Sequence, residues 1–249
     1  MNKTQLLAET PAVVLVGGLG TRLRPVVSST PKALARIGET TIIELLIHQL
    51  KVQGIRKIVL CTGHLGEQIE KALGSGREFG VKIRYSREQT QLGTGGALKH
   101  AESSMWDAPD FLVMNGDSLI EVDFAALLNF HAACGGVVTL SVCSVEDASR
   151  YGTVKVSTNN RVTSFEEKAE VADSGRVSAG VYAFSRSIFQ HLVQGPSSLE
   201  REVFPRVLDK GVYAFQVESM FIDIGTPEDF DRAQTLAERL LAAAARSFR

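Results

Sequence analysis

Apolar positions along the first 145 residues follow a repeating rhythm: a short unbroken apolar run, a glycine or polar break, then a longer stretch of helical period. Residues 12–16 form an apolar run that ends in two glycines, the pattern of a parallel strand buried on both faces. Residues 41–53 carry Ile42, Ile43, Leu45, Leu46, Leu50 and Val52 ahead of Gly54, which predicts a helix with its stop signal. The alternation continues with strands over 57–61, 82–86, 111–114 and 137–142 and helices over 65–73, 95–105 and 124–133. Repeated strand-helix units predict an α/β fold, a doubly wound Rossmann-like mixed sheet flanked by helices, with ligands at the carboxyl ends of its strands.

Beyond residue 145 the rhythm changes. Residues 152–156 and 161–166 read as a hairpin around Asn159-Asn160, residues 177–184 as a further strand, and 186–193 and 199–209 as short helical patterns. A last helix is expected over 227–245, with Pro227 in its first turn and an apolar stripe at Phe230, Ala233, Leu236 and Leu240. No linker-like or low-complexity tract separates the two stretches. Residues 1–249 are therefore expected to form one domain, in which 146–249 adds a small β annex to the 11–145 half.

Composition narrows the class. Hydrophobic residues make up 44% and charged residues 22%, ordinary globular values that argue against disorder. The net charge of −1 gives no bulk attraction for nucleic acid or an anionic membrane, so neither is an expected partner. Cys61, Cys134 and Cys143 are odd in number, widely spaced and without a Cys-x-x-Cys pair, and read as buried free thiols in a reducing compartment. With no signal-peptide pattern and no apolar run long enough to span a bilayer, a cytoplasmic location is expected. His48, His64, His100, His131 and His191 show no metal-ligand spacing.

The candidate chemistry begins at the end of the first strand, in Leu15-Val16-Gly17-Gly18-Leu19-Gly20-Thr21-Arg22-Leu23-Arg24-Pro25, followed by Pro31-Lys32. Backbone N–H groups of a glycine-rich turn and a cluster of fixed cations converge there, as binding of a polyphosphate requires. The dinucleotide fingerprint fails because its third glycine falls on Leu23, and the P-loop fails because no Gly-Lys-Ser or Gly-Lys-Thr closes the run. Asp117, just past the 111–114 strand, is placed where a parallel strand delivers a side chain to the ligand crevice, and a carboxylate there suits Mg²⁺. Asp223, between Ile222 and Ile224, is a carboxylate in an apolar setting for which a cation is one natural partner and a turn cap before Gly225-Thr226-Pro227 another.

Gly-Gly-x-Gly-Thr-Arg-Leu-Arg-Pro with Pro31-Lys32 resembles the signature of the sugar-phosphate nucleotidyltransferases. The resemblance continues at Leu92-Gly93-Thr94-Gly95-Gly96-Ala97, Asn115-Gly116-Asp117, Phe165-Glu166-Glu167-Lys168, Ser178-Ala179-Gly180-Val181-Tyr182 and Phe221-Ile222-Asp223-Ile224-Gly225-Thr226-Pro227, in the family's order. It implies the nucleotide-diphospho-sugar transferase type of fold, with a nucleotide-binding half over 11–145 and a sugar-binding half over 146–249. It also implies transfer of a nucleoside monophosphate from a nucleoside triphosphate to a sugar 1-phosphate, with release of pyrophosphate.

By the same resemblance Arg22, Lys32 and Asp117 are the catalytic set, and Asp117 and Asp223 share one Mg²⁺. Leu15, Gly17, Gly18, Gly20, Thr21, Gly63, Glu88, Leu92, Gly93, Thr94 and Gly95 would bind the nucleotide. Tyr151, Gly152, Glu167, Lys168, Ala179 and Gly180 would bind the sugar phosphate. The loop and the 221–230 segment are most similar to the heptose 1-phosphate guanylyltransferase branch, which implies GTP and D-glycero-α-D-manno-heptose 1-phosphate. Mannose 1-phosphate with GTP, and glucose or N-acetylmuramate 1-phosphate with UTP or dTTP, remain open. A catalytically silent sensor or regulatory subunit should lack a member of the Arg22, Lys32, Asp117, Asp223 set, and all four are present. An NAD(P)-dependent oxidoreductase needs an acid at the second strand end, where the chain has Cys61-Thr62-Gly63. A homo-oligomer is allowed on base rates alone. The chain ends soon after the 227–245 helix, so the β-helix acetyltransferase domain of some relatives is not expected.

Overall fold

A computed structural model describes residues 3–20, 23, 30–148, 151–166, 174–219 and 221–246. The first stretch runs α1 (Lys3–Glu9), β1 (Pro11–Leu15), the hairpin strands β2 (Arg36–Ile37) and β3 (Thr40–Thr41), α2 (Ile42–Val52), β4 (Lys57–Thr62) and α3 (Gly66–Leu73). It continues with β5 (Lys82–Arg87), α4 (Gly93–His100), β6 (Asp110–Asn115), β7 (Ser118–Ile120), α5 (Phe124–Cys134) and β8 (Val138–Val145). The second contains β9 (Thr153–Val156), β10 (Val162–Glu166), β11 (Gly175–Ser185), α6 (Phe204–Arg206), β12 (Val212–Gln216), β13 (Phe221–Asp223) and α7 (Pro227–Arg246).

The main sheet is mixed. β5, β4, β1 and β6 lie side by side in parallel, and β11 runs antiparallel to β6. β11 also pairs with β9 and with β8, and β8 carries β12 in parallel on its far side. Strands from both stretches thus share one sheet. The doubly wound mixed sheet expected from the sequence is present.

Period-two alternation divides the core between the two faces. Val14, Leu60 and Met114 face α2, α3, α5 and the first turns of α7, whereas Val13, Val59 and Val113 face Leu98 of α4, Phe189 and Phe204. α2 is set by this burial more than by its start signal. Ile42, Ile43, Leu45, Leu46, Ile47 and Leu50 are all buried, each large aliphatic contributing about 1.5–3 kcal/mol. The Thr41–Glu44 capping box adds about 1 kcal/mol.

Several elements differ from the sequence expectation. The 95–105 helix divides into α4 and a 3₁₀ turn, Ala101–Ser104. The 199–209 helix is instead a π turn over Leu199–Val203, one α turn, and a 3₁₀ turn over Leu208–Lys210. Pro205 has no N–H to continue an i→i−4 ladder, so the chain closes the turn one residue wider, with the Phe204 N–H on the Leu199 carbonyl. The 186–193 pattern shortens to a 3₁₀ turn, Arg186–Gln190. β12 and the β7–β13 pair join segments distant in sequence. Phe230 and Ala233 are buried as expected, while the side chains of Leu236 and Leu240 lie outside the described residues. Cys61 and Cys143 are buried free thiols, but Cys134, in the last turn of α5, is only half-buried. No described helix is long and apolar enough to cross a membrane.

Candidate active site

The parallel strands end together: Leu15 registers with Cys61 on one side and Asn115 on the other. The Val16 N–H continues the ladder to the Cys61 carbonyl at 3.0 Å, and the Gly116 N–H to the Leu15 carbonyl at 2.9 Å. A side chain at Gly116 would stand 2.4 Å from Val16 Cγ1 and 2.6 Å from the Leu15 carbonyl, so this junction admits only glycine. Above the strand ends opens a cleft of about 410 Å³ whose floor and walls include Leu15, Gly17, Gly18, Gly20, Lys32, Glu88, Gly93, Thr94 and Asp117. It sits at the carboxyl edge of the sheet, where parallel α/β folds place their ligands.

Two glycines make room for a carboxylate. A Cβ at Gly17 would lie 2.8 Å from Glu88 Oε1, and one at Gly63 2.7 Å from the same oxygen. The second Glu88 oxygen, Oε2, accepts the Leu92 N–H at 3.2 Å. Burial pushes the Glu88 carboxyl above its ordinary range, only partly offset by the Leu92 N–H and by nearby His100. The cleft therefore holds an acceptor whose charge is costly to keep.

The glycines of the 92–96 loop also admit a close approach of the backbone at 195–197. A Cβ at Gly96 would approach the Gly195 carbonyl to 2.2 Å, and one at Gly93 the Ser197 carbonyl to 2.6 Å. The Ser197 carbonyl accepts the N–H groups of Gly95 (2.9 Å) and Gly96 (3.3 Å), and the Ser197 N–H returns to the Leu92 carbonyl (2.9 Å). The start of α4 is thus capped by the 195–197 segment. Gly93 and Thr94 still reach the cleft, whereas Gly95 is buried with its N–H occupied, and Leu92 acts through its backbone bonds to Glu88 and Ser197.

Two aspartates meet through backbone pairing. Asp223 of β13 registers with Ser118 of β7, and the Ile224 N–H donates to the Asp117 carbonyl at 2.8 Å. Asp117 accepts an ion pair from Lys32 Nζ at 2.7 Å, with the lysine side chain 15% exposed and the carboxylate 38%. Asp117 lines this first cleft and Asp223 a second, and two carboxylates are a donor set of the kind Mg²⁺ takes, its remaining positions being filled by phosphate and water oxygens. Among the described residues no third His, Cys, Asp or Glu completes an all-protein metal cage.

A second cleft, of about 540 Å³, adjoins the first and shares Asn115 with it. Tyr151, Gly152, Ser178, Tyr182, Glu200 and Asp223 are among its lining residues. Beneath it β11 bulges: between the Ser178–Val142 and Tyr182–Leu140 pairs, three residues of β11 oppose the single Ser141 of β8. Gly180 takes φ +73 at that bulge, and a Cβ there would approach Ser118 Oγ (2.9 Å) and Asn115 Nδ2 (3.0 Å). Ala179 and Gly180 are therefore buried support behind the cleft, not part of its lining as expected. Thr21, Arg22, Glu167 and Lys168 lie outside the described residues.

Several lining residues escaped the sequence reading. Asn115 was passed over as part of the motif around Asp117. Ser178 and Tyr182 stand at the ends of the Ser178–Tyr182 motif, in which only Ala179 and Gly180 are singled out, and Glu200 is hidden because the 199–209 stretch reads as an ordinary helix. One signal was available for Glu200: Ser198 followed by Glu202 is a widened capping pair, its hydroxyl accepting the Arg201 N–H (3.2 Å) while Glu202 Oε1 accepts the Ser198 N–H (2.9 Å).

Comparison with known proteins places this geometry. A D-glycero-α-D-manno-heptose 1-phosphate guanylyltransferase of Aneurinibacillus thermoaerophilus is 37% identical over 225 residues, covering 90% of this chain and 96% of that protein. A mannose-1-phosphate guanylyltransferase catalytic subunit beta of Dictyostelium discoideum is 36% identical over 222 residues, covering 88% of this chain and 62% of that one. The chain spans about three fifths of the length of such mannose relatives. The crystal structure of HddC from Yersinia pseudotuberculosis complexed with GMP-PN superposes with a TM-score of 0.80 at 30% identity, covering 91% of this chain and 98% of that one. The nucleotidyl transferase family profile matches residues 11–239, and the chain belongs to that family.

Proposed function

We propose that this chain is a sugar 1-phosphate guanylyltransferase that joins GTP and D-glycero-α-D-manno-heptose 1-phosphate into GDP-heptose and pyrophosphate. The observation that carries the reading is the meeting of two clefts at Asn115, with Asp117 on the nucleotide side and Asp223 on the other. A phosphate oxygen of the sugar 1-phosphate attacks the α-phosphorus, a new P–O bond forms, and the bond to the β-phosphate oxygen breaks. Both reactants are anions, so neutralisation and alignment dominate the work. Lys32 supplies a cation at the cleft wall, and the glycine loop lets the backbone approach the phosphates. Arg22 is proposed to meet charge developing toward pyrophosphate. Asp117 and Asp223 would hold a Mg²⁺ ion, which when bound supplies charge neutralisation between phosphate oxygens.

Glu88 supports guanine over the other bases. Guanine offers adjacent N1–H and N2–H donors on one edge, whereas uracil and thymine offer a single N–H there, and a desolvated carboxylate is a matched acceptor for the paired donors. The heptose rests on the resemblance of the glycine loop and the 221–230 segment. Mannose 1-phosphate is the second reading, supported by relatives of nearly equal identity. The test is pyrophosphate release with Mg²⁺ from GTP, UTP and dTTP against heptose, mannose and glucose 1-phosphates. Release should be markedly greater for GTP with heptose 1-phosphate; equal or greater release with UTP overturns the guanylyl assignment, and preference for mannose 1-phosphate overturns the heptose.

A further inference from the structure

Glu200 stands where the two clefts are stitched together, and its carboxylate is held by three hydroxyls. Thr94 Oγ1 donates to Oε2 at 3.0 Å, Ser198 Oγ to the same oxygen at 3.1 Å, and Tyr182 OH to Oε1 at 3.1 Å. Each donor is itself fixed. Thr94 Oγ1 accepts the Leu199 N–H at 2.8 Å, Tyr182 OH accepts from Ser178 Oγ at 3.2 Å, and Tyr182 is buried between Phe184 and Phe204. An ionised carboxylate has about four acceptor positions. Three are occupied, which leaves one open on a half-buried side chain that lines the second cleft. Neutral donors on three sides also prevent the carboxylate from turning away.

We propose that Glu200 is a specificity-determining residue that accepts a hydroxyl of the sugar in the second cleft, and that Thr94 is the positioning residue that holds it. This rests on the sugar 1-phosphate reading of that cleft. Thr94 then acts across the wall: a residue that lines the first cleft gives its hydroxyl to a carboxylate that lines the second. A hydroxyl matched to a fixed, partly desolvated carboxylate is discriminating, because a sugar lacking it leaves the charge unpaired.

The experiment measures pyrophosphate release at saturating GTP for Glu200→Gln with D-glycero-α-D-manno-heptose 1-phosphate and its 2-, 3-, 4-, 6- and 7-deoxy analogues. Glu200→Gln should raise KM for the sugar phosphate at least about tenfold while moving KM for GTP less than about twofold. One deoxy analogue should lose about tenfold against the parent sugar in the unmodified protein and little in Glu200→Gln, a non-additivity that a structural role does not produce. Thr94→Val should give the same split on the sugar side without altering the carboxylate, and Thr94→Ser should restore it. Additive losses for every analogue, or an effect of Thr94→Val confined to KM for GTP, overturn the proposal while the guanylyltransferase reading stands. No pyrophosphate release by the unmodified protein with any of these sugars or with mannose 1-phosphate overturns both.

Discussion

Replacing glycine by alanine inside a helix ordinarily stabilises a protein by about 1 kcal/mol; at Gly96 of α4 the sign should reverse. The new methyl would stand 2.2 Å from the Gly195 carbonyl, a backbone atom that cannot rotate aside. Relief requires the 195–197 segment to withdraw from α4, which breaks the Gly95 and Gly96 N–H bonds to Ser197 and the Ser197 N–H bond to Leu92. Three bonds at about 1 kcal/mol each, less about 1 kcal/mol of helix propensity, leave a net loss of about 2 kcal/mol. For a chain of this size that lowers Tm by about 4–8 °C. Because Gly93 and Thr94 line the nucleotide cleft, KM for the nucleotide should rise as well. Scanning calorimetry reads the first effect, with Gly18→Ala as the control, since nothing lies within 4 Å of a Cβ at Gly18. A Gly96→Ala protein that melts at or above the parent temperature would refute the clasp as the reason for that glycine.

Lys32→Met should cost less than about 1 kcal/mol of stability, since its partner Asp117 is 38% exposed, yet lower kcat by about 10²-fold; a large Tm loss with unchanged kcat would reverse the assignment. Asp117→Asn and Asp223→Asn should each remove most turnover at fixed Mg²⁺ with part of it recovered at higher Mg²⁺, and near-normal turnover in both purified variants would sink the metal site. Glu88→Gln should raise Tm at pH 7 and lose that gain near pH 4. Burial raises the folded-state carboxyl above its unfolded value, so stability is intact below the unfolded pKa and falls as pH rises through the folded one. A Tm difference independent of pH would show that the Glu88 charge carries no such penalty.

What was legible in the sequence was local. The apolar runs of β1, β4 and β6, the helical period of α2 and the glycines after β1 each follow from the chemistry of a few neighbouring residues, and from them come the fold class and the position of the nucleotide cleft. The motifs also singled out Asp117 and Asp223 along the chain. They did not say how the two would meet, because that depends on β13 registering against β7 across about a hundred residues, and short strands of three residues carry almost no periodic signal.

The tertiary structure decided the meaning of residues whose partners are remote. Gly93 and Gly95 read as nucleotide-binding residues and Gly96 only as part of their motif, yet the close approach of 195–197 is what forbids a side chain at Gly96. Gly17 and Gly63 read as phosphate-loop and strand-end residues, yet both leave space for Glu88. Thr94 and Glu200, 106 positions apart, form one hydrogen-bonded wall between two clefts. Sequence by itself determined the central parallel strands, α2 and the glycine-rich turn after β1, because propensity and periodicity act over a few residues. Only the packed structure decided which buried acceptors are held and which are left open, because that depends on contacts made across the whole chain.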